Sequence, residues 1–204
     1  MPTAVLTFSL AAALIVLLPG PDTLVVVRAL LRDGRAAAVL TVAGVLTGLS
    51  VWVMAAALGV SALLRASHEG YLLLRSVGAV YLVWLGVQSL RARRSLMPAD
   101  AAGRPGLLGS GYVAGLATDL LNPKVGVFFV TFLPGFVPPG HSVGTTTVLF
   151  GAIFVVETLA YFLALLLLAG RVTSWLDDPV VRRRLDRATG LVLVGFGARL
   201  VADG

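Results

Sequence analysis

The sequence predicts an all-α integral membrane protein of about six transmembrane helices, on three observations. Of the 204 residues, 58% are hydrophobic and 13% are charged, whereas a soluble domain usually carries about 25% charged residues. The mean hydropathy is +0.95. The arginines concentrate in every second connection between apolar segments. A spanning helix needs roughly 20 mostly apolar residues, so the chain has room for six or seven spans with short connections.

Six apolar segments follow one another along the chain. They run roughly over residues 4–27, 36–64, 71–90, 107–137, 144–170 and 188–202. We therefore treat residues 1–204 as a single membrane domain, with a first half at 1–95, a cytoplasmic loop at 96–106 and a second half at 107–204. No basic residue precedes the first segment, which argues for a retained first helix and against a cleavable signal peptide.

The distribution of arginine predicts the topology. The first, third and fifth connections hold twelve of the fifteen arginines, whereas the second and fourth hold only Arg65, with Arg75 near the start of the third helix. Under the positive-inside rule this pattern fits six spans with both termini outside, whereas five or seven spans would put arginine-rich loops on both sides. The net charge of +6 would suggest nucleic acid in a soluble protein. Here the arginines fix topology, so we expect no nucleic-acid partner.

Several functional classes are disfavoured by what the chain lacks. It has no cysteine, which excludes disulfides, thiolate metal sites and thiol redox relays. It has no His-Glu-x-x-His and no Gly-x-Ser-x-Gly motif. We therefore expect neither an enzyme nor a cofactor, and no metal site.

The first segment contains Pro19-Gly20-Pro21-Asp22, a run that a continuous membrane helix should avoid. Two prolines around a glycine remove backbone donors and clash with the preceding turn, so we expect the first helix to break here. The backbone groups freed by such a break must be satisfied by protein or by a wet cavity, because lipid offers them no partner.

The fourth segment contains a second break, within Asp119-Leu120-Leu121-Asn122-Pro123-Lys124. Asn122-Pro123 resembles a helix restart, with Asn122 as N-cap and Pro123 in the first helical position. A helix that restarts inside the membrane points N–H groups and a partial positive charge at whatever lies before it. The second break therefore predicts a place for a carboxylate.

Ionisable residues lie beside both breaks. A charge at the bilayer centre costs at least about 2.5–3.5 kcal/mol, so each should face the bundle interior and be paired. An Asp22–Lys124 pair would satisfy both groups and would offer a zwitterion one anionic and one cationic partner in the same cavity. We expect the substrate-binding residues to be Pro19, Gly20, Pro21, Asp22, Asp119, Asn122, Pro123 and Lys124.

The two breaks occupy corresponding positions of two three-helix halves. With alternating topology the first and fourth segments run in opposite directions, as expected of a 3+3 inverted repeat with its site at the repeat interface. No residue-level repeat is visible between the halves, so this symmetry rests on break placement and charge. A proline can also simply kink a helix, and Lys124 can snorkel to an interface, so a structural role of either segment stays open.

Glu157 is the remaining charge within an apolar segment, near the middle of the fifth one. A carboxyl group at membrane depth suits proton coupling. It could equally pair with an arginine or with Lys124 for structural reasons.

At these residues the sequence resembles the LysE/RhtB family of amino-acid exporters. The match includes the Pro19-Gly20-Pro21 break, a glycine-rich second helix, the run from Val77 to Gly86 and the run from Leu120 to Lys124. These features span roughly residues 15–135 in the expected order, and the C-terminal third matches in hydropathy more than in motif. Asp119 stands where the family often has Asn.

The resemblance implies a six-helix secondary exporter in the bacterial inner membrane, driven by the proton gradient or the membrane potential. It also implies an amino acid or related small metabolite as substrate, the lipid bilayer as surroundings, and a homo-oligomer, expected to be a dimer. The alternatives are a metal-ion or other small-ion transporter of related architecture, and a passive channel or packing protein.

Overall fold

The computed structural model describes residues 1–91, 109–168 and 179–202, and the regular structure in these ranges is helical throughout. After Val127 the helix continues in other forms: Phe128–Phe132 is π-helical and Leu133–Phe136 is 3-10 helical. The helices are α1 Pro2–Leu17, α2 Pro21–Ala66, α3 His68–Arg91, α4 Tyr112–Leu120, α5 Pro123–Val127, α6 Val143–Leu167 and α7 Pro179–Ala202.

Three helical stretches of the described chain are long and apolar enough to cross a bilayer on their own, namely Pro21–Leu63, Glu69–Arg91 and Val143–Leu167. Tyr112–Leu120 and Pro123–Phe136 meet at a bend of 52° and form a fourth if they are counted as one span. The chain is therefore a multi-pass membrane protein. Helix α1 is apolar but shorter.

The connection expected at residues 28–35 is present but is reduced to a kink at one residue. The stretch Pro21–Ala66, labelled α2, consists of two helices that meet at Gly34, where the backbone angles are non-helical (φ 83°, ψ −176°). The positive φ favours glycine. Arginine is a good helix former, so charge alone did not separate a loop from a helix with a single kinked residue.

The fifth connection is also shorter than expected. Helix α7 begins at Pro179, so the arginines predicted for the last loop lie in the first turns of a helix. Proline is favoured in the first helical position, which explains the early start. The predicted loop at 96–106 and Arg171 lie outside the described residues.

Glycines allow two helix pairs to approach closely. Gly44 of α2 lies against the backbone of Tyr112 and Leu116 in α4, and Gly48, one turn later, lies against Asp119. Gly115 of α4 in turn lies against the backbone of α2. Because later residues of α2 meet later residues of α4, the two helices run parallel. Gly86 packs on Gly190, and Gly197 packs on Val83, so α3 and α7 run antiparallel.

Helix α6 has two neighbours, and the contacts define their directions. The ring of Phe8 stacks on Phe150 with centroids 4.6 Å apart, and Thr23 lies within hydrogen-bonding distance of Tyr161. The first helix and its continuation beyond Pro21 therefore run parallel to α6. Gly151 packs on Val53 and Gly144 on Ser61, so the later part of α2 is antiparallel to α6.

Buried aromatic rings fill the space between α1, the α5 continuation and α6. Consecutive rings lie 4.6–6.3 Å apart between centroids. We call this group the phenylalanine cluster; it consists of Phe8, Phe128, Phe129, Phe132, Phe136, Phe150 and Phe154. It lies beside the N-terminal half of α1, away from the kink at Gly34, the C-terminal end of α3 and the first turns of α7, where most of the arginines gather. Arg199, near the C-terminal end of α7, lies over the ring of Phe136 at 5.0 Å from the centroid.

Candidate functional site

The first expected break is present. Helix α1 ends at Leu17, Leu18 has extended backbone angles, and a new helix begins at Pro21 with Gly20 as its N-cap. Pro19 and Pro21 have no N–H, so no backbone donor at these two positions is left unsatisfied. The carbonyl groups at the end of α1 remain available to other partners.

The second expected break is also present. Helix α4 ends at Leu120, and α5 begins at Pro123. Asn122 is the N-cap, and its Oδ1 accepts a hydrogen bond from the backbone N–H of Lys124 at 3.1 Å. The restart therefore follows the predicted combination of an Asn cap and a proline in the first turn.

The two breaks face each other across the interior of the bundle. Asn122 Nδ2 donates to Asp22 Oδ2 at 2.7 Å. The Nζ of Lys124 donates to the backbone oxygens of Leu18 at 3.2 Å and Ile15 at 3.4 Å. The chain thus brings together residues from both predicted sites, 100 or more positions apart in sequence.

Asp22 and Lys124 are neighbours but their charged atoms have other partners. An amide satisfies one oxygen of the carboxylate, and two carbonyl oxygens satisfy the ammonium. Asp22 Oδ1 is buried and finds no hydrogen-bond partner in the described part of the chain. The expected direct ion pair is therefore replaced by two separate interactions, because the restart cap and the end of α1 are nearer.

Asp119 is fully buried in the last turn of α4. Neither carboxylate oxygen has a hydrogen-bond partner among the described residues. Its side chain lies directly against Gly48, where a Cβ would stand 2.5 Å from Oδ2. Trp52 Nε1 approaches the backbone oxygen of Asp119 at 3.4 Å. Because Gly48 has no side chain, the surface of α2 leaves room for the carboxyl group of Asp119.

Three cavities adjoin the breaks. One of about 530 Å³ lies beside the second break alone, where Asn122 and Pro123 line it. We call the other two the smaller and the larger cavity, and both are lined by Gly20 and Lys124. The smaller, of about 40 Å³, also includes Asp22 together with Thr158 and Tyr161 of α6. The larger, of about 210 Å³, is lined by further residues of the breaks and by polar residues of α3 and α7, namely Pro19, Pro21, Asn122, Pro123, Gln88, Ser89 and Thr189. Asp119 lines neither of these two cavities.

The larger cavity extends from the breaks towards the arginine-rich end of the bundle. Gln88 and Ser89 are in the last turn of α3, which ends at Arg91. Thr189 follows Arg187 in α7. On the opposite side of the breaks, the phenylalanine cluster fills the bundle. The larger cavity therefore extends from the breaks towards the arginine-rich end of the bundle, and the phenylalanine cluster blocks the bundle on the other side.

Glu157 lies on α6, one turn from the smaller cavity. It stands three residues after Phe154 and four before Tyr161, which both line that cavity, and such residues share one helix face. Glu157 itself lines none of the cavities described here. Its Oε2 is buried and has no hydrogen-bond partner within the described ranges.

Sequence reasoning missed the main-chain oxygens of Ile15 and Leu18, since carbonyl groups leave no mark on residue identity. It also missed Trp52 and Gln88. Gln88 is a polar residue near the end of an apolar segment, so its position was the available signal.

A sequence model of the LysE type translocator family matches residues 13–204. The threonine efflux protein of Escherichia coli K12 is 31% identical over 208 residues, covering 96% of each chain. The homoserine/homoserine lactone efflux protein of Salmonella typhimurium is 26% identical over 200 residues, covering 96% of this chain and 94% of that protein.

An uncharacterized membrane protein of Bacillus subtilis is 28% identical over 196 residues, covering 92% of this chain and 93% of its own. No solved structure matches. The family match includes both breaks and extends through the C-terminal third, where motifs were weakest. This chain therefore belongs to the LysE type translocator family, and is a transporter and not an enzyme.

Proposed function

We propose that this protein exports amino acids or closely related small metabolites across the bacterial inner membrane. The observation that carries the proposal is the meeting of two broken helices at one cavity, with Asp22 and Lys124 on its wall. A zwitterion needs partners of both signs within a few ångströms, and this wall offers them. Relatives that cover nearly the whole chain carry the names of amino-acid efflux proteins.

We assign six spans to the chain. Helix α1 with the part of α2 before Gly34 forms the first, and the rest of α2 forms the second. The 46 residues of α2 are more than the roughly 20 that one span needs, and the kink at Gly34 divides them between two spans. The remaining spans are α3, α4 with α5 and its continuation, α6, and α7. The packing directions of the helices agree with this alternation.

The packing also supports a 3+3 inverted repeat. If the first, second and third spans correspond to the fourth, fifth and sixth, then contact between the second and fourth spans should recur between the fifth and first. Both pairs are in contact and both are parallel. Three pairs map onto themselves. Second with fifth and third with sixth are antiparallel, and so is first with fourth, in which Leu18 contacts Lys124 and Phe8 contacts Phe136. The arginine-rich ends then lie in the cytoplasm, and both termini lie outside.

In this topology the larger cavity opens towards the cytoplasm. A substrate enters there and meets the breaks, while the phenylalanine cluster closes the path outward. The volume of about 210 Å³ is below the roughly 300 Å³ at which pockets for drug-sized ligands begin, which suits a small metabolite. Opening the cluster and closing the cavity would then release the substrate outside.

We assign the substrate carboxylate to Lys124 and to the restart of α5, and the substrate amino group to the acidic side, where Asp22 and Asp119 lie. Protonation of Glu157 would bias the inward- and outward-facing states and couple export to the proton gradient. Movement of net charge would couple it to the membrane potential instead. We also propose that the working unit is a homodimer, which cross-linking in membranes tests.

The test is efflux from cells preloaded with dipeptides, at matched membrane expression. Wild type should accelerate efflux of at least one amino acid, and Lys124→Ala and Asp22→Asn should abolish the gain. Gly59→Ala is the matched control, because a Cβ at Gly59 meets nothing within 4 Å. If the wild type accelerates no amino acid, or if Lys124→Ala transports normally, the assignment is wrong.

A further inference from the structure

The ammonium of Lys124, the single lysine of the chain, is bound to the C-terminal end of α1. Its Nζ donates to Leu18 O at 3.2 Å and to Ile15 O at 3.4 Å. The last carbonyl groups of a helix lack the usual i+4 partners and carry a partial negative charge. Ile15 O accepts one hydrogen bond from the N–H of Leu18 at 3.3 Å, and its second lone pair is available to the ammonium. These two oxygens therefore form a site whose chemistry suits a primary ammonium group.

The site is shaped by the absence of a side chain at Gly20. An added Cβ there would stand 3.5 Å from Nζ of Lys124, so a longer side chain would enter the space beside the ammonium. Gly20 has φ −131°, which any residue can adopt. The backbone therefore does not require a glycine here, and the consequence of its presence is open space next to the two carbonyl oxygens.

The ammonium also lies where a molecule from the larger cavity would reach it. Lys124 and Gly20 line both the cavity of about 210 Å³ and the one of about 40 Å³. A lysine ammonium has three donors, and carbonyl oxygens account for two of them in the described structure. Asp22 lies close enough to act on this group electrostatically.

Building on the proposed function, we propose that the carbonyl oxygens of Ile15 and Leu18, residues that line the smaller cavity together with Asp22, complete the ammonium subsite on the acidic side, and that Lys124 occupies it between transport events. When the amino group of a substrate takes these oxygens, the ammonium of Lys124 is released. It then pairs with the carboxylate of the same substrate. Lys124 thus fills the ammonium subsite when no substrate is bound, and it binds the substrate carboxylate when one is.

The exchange predicts a gain of binding when the tethered ammonium is removed. Purified wild type and Lys124→Met are compared by calorimetry with two probes, propylammonium and propionate. Lys124→Met should bind propylammonium at least tenfold more tightly than wild type, because the carbonyl oxygens lose their internal competitor. The same variant should lose affinity for propionate. Equal affinity of both proteins for propylammonium would overturn the proposal.

A second variant tests whether the gain in propylammonium affinity arises at the two carbonyl oxygens. Adding Gly20→Val to Lys124→Met puts methyl groups one bond beyond a Cβ that already stands 3.5 Å from the ammonium position. The gain in propylammonium affinity should then disappear. Adding Gly59→Ala, which meets nothing within 4 Å, should leave it intact. A gain that survives Gly20→Val would place the amine elsewhere and contradict the assignment.

The unaltered protein gives an independent test, which does not depend on a variant folding well. Because the chain has a single lysine, labelling lysine Nζ with ¹⁵N produces one side-chain signal. Saturating propylammonium should shift that signal as the carbonyl oxygens are given up, and choline, which has no N–H, should not. A signal that propylammonium leaves unmoved contradicts the exchange.

These outcomes separate the subsite from the proposed function. If wild type exports an amino acid but neither the Lys124→Met gain nor the signal shift occurs, the subsite is wrong and the function stands. If wild type exports no amino acid but both amine effects occur, the subsite stands and the exported substrate is another amine.

Discussion

Asn122 donates a hydrogen bond to Asp22 across 2.7 Å, although the two residues are 100 positions apart. The same side chain caps α5 through its oxygen. A single amide therefore starts one half-helix and binds the first turn of another. Asn122 therefore connects the two breaks through one side chain, and the orientation of its amide is fixed because only the oxygen can accept the capping N–H.

Exchanging the amide and the carboxylate tests this connection. Asn122→Asp keeps a capping oxygen but replaces the donor with a second acid, so we expect a lower melting temperature and a loss of about 1–3 kcal/mol. The double variant Asp22→Asn/Asn122→Asp restores one amide and one acid and should recover most of the loss. Thermal unfolding of the purified proteins measures both, and a double variant as unstable as the single one would refute the pairing.

Gly48 should be intolerant of a side chain, because a Cβ there would stand 2.5 Å from Oδ2 and 2.9 Å from Cβ of Asp119. We expect Gly48→Ala to destabilise the protein by about 1–3 kcal/mol. Gly59→Ala on the same helix meets no atom within 4 Å and should stabilise by about 0.5–1 kcal/mol. Equal effects of the two substitutions on unfolding would show that the contact with Asp119 is unimportant.

Glu157→Gln should remove the response of efflux to an imposed pH gradient, since Gln cannot carry the proton. Asp119→Asn should keep that response and instead weaken substrate binding. Proteoliposomes with the gradient set in either direction measure the two effects separately. The reverse pattern, with Asp119→Asn insensitive to the gradient and Glu157→Gln normal, would transfer proton coupling to Asp119.

Single cysteines can report the topology, because the chain has none of its own. His141 is exposed in the short connection before α6, and Gln88 lines the larger cavity. In intact cells an impermeant maleimide should label His141→Cys and spare Gln88→Cys, and inverted vesicles should reverse the result. Labelling of Gln88→Cys from outside would contradict the assigned orientation.

The two breaks could be predicted from sequence because proline and glycine act on their own backbone. Pro19-Gly20-Pro21 and Asn122-Pro123 specify where helices end and restart whatever surrounds them. The partners of the charged groups could not be predicted in the same way. Lys124 binds main-chain oxygens, which every residue has, and Asn122 reaches Asp22 only because the bundle places both breaks together. A longer connection was predicted at residues 28–35 than the kink at Gly34, because arginine is found in helices as well as in loops.

The phenylalanine cluster bears on how the cell retains its ion gradients. Its side chains are hydrocarbon, and the hydroxyl of nearby Thr131 is engaged by the backbone oxygen of Val127 at 2.7 Å. A file of water molecules needs polar partners along its length, and the rings supply none. In the proposed export cycle, this part of the protein therefore insulates the membrane against proton leakage while the larger cavity faces the cytoplasm.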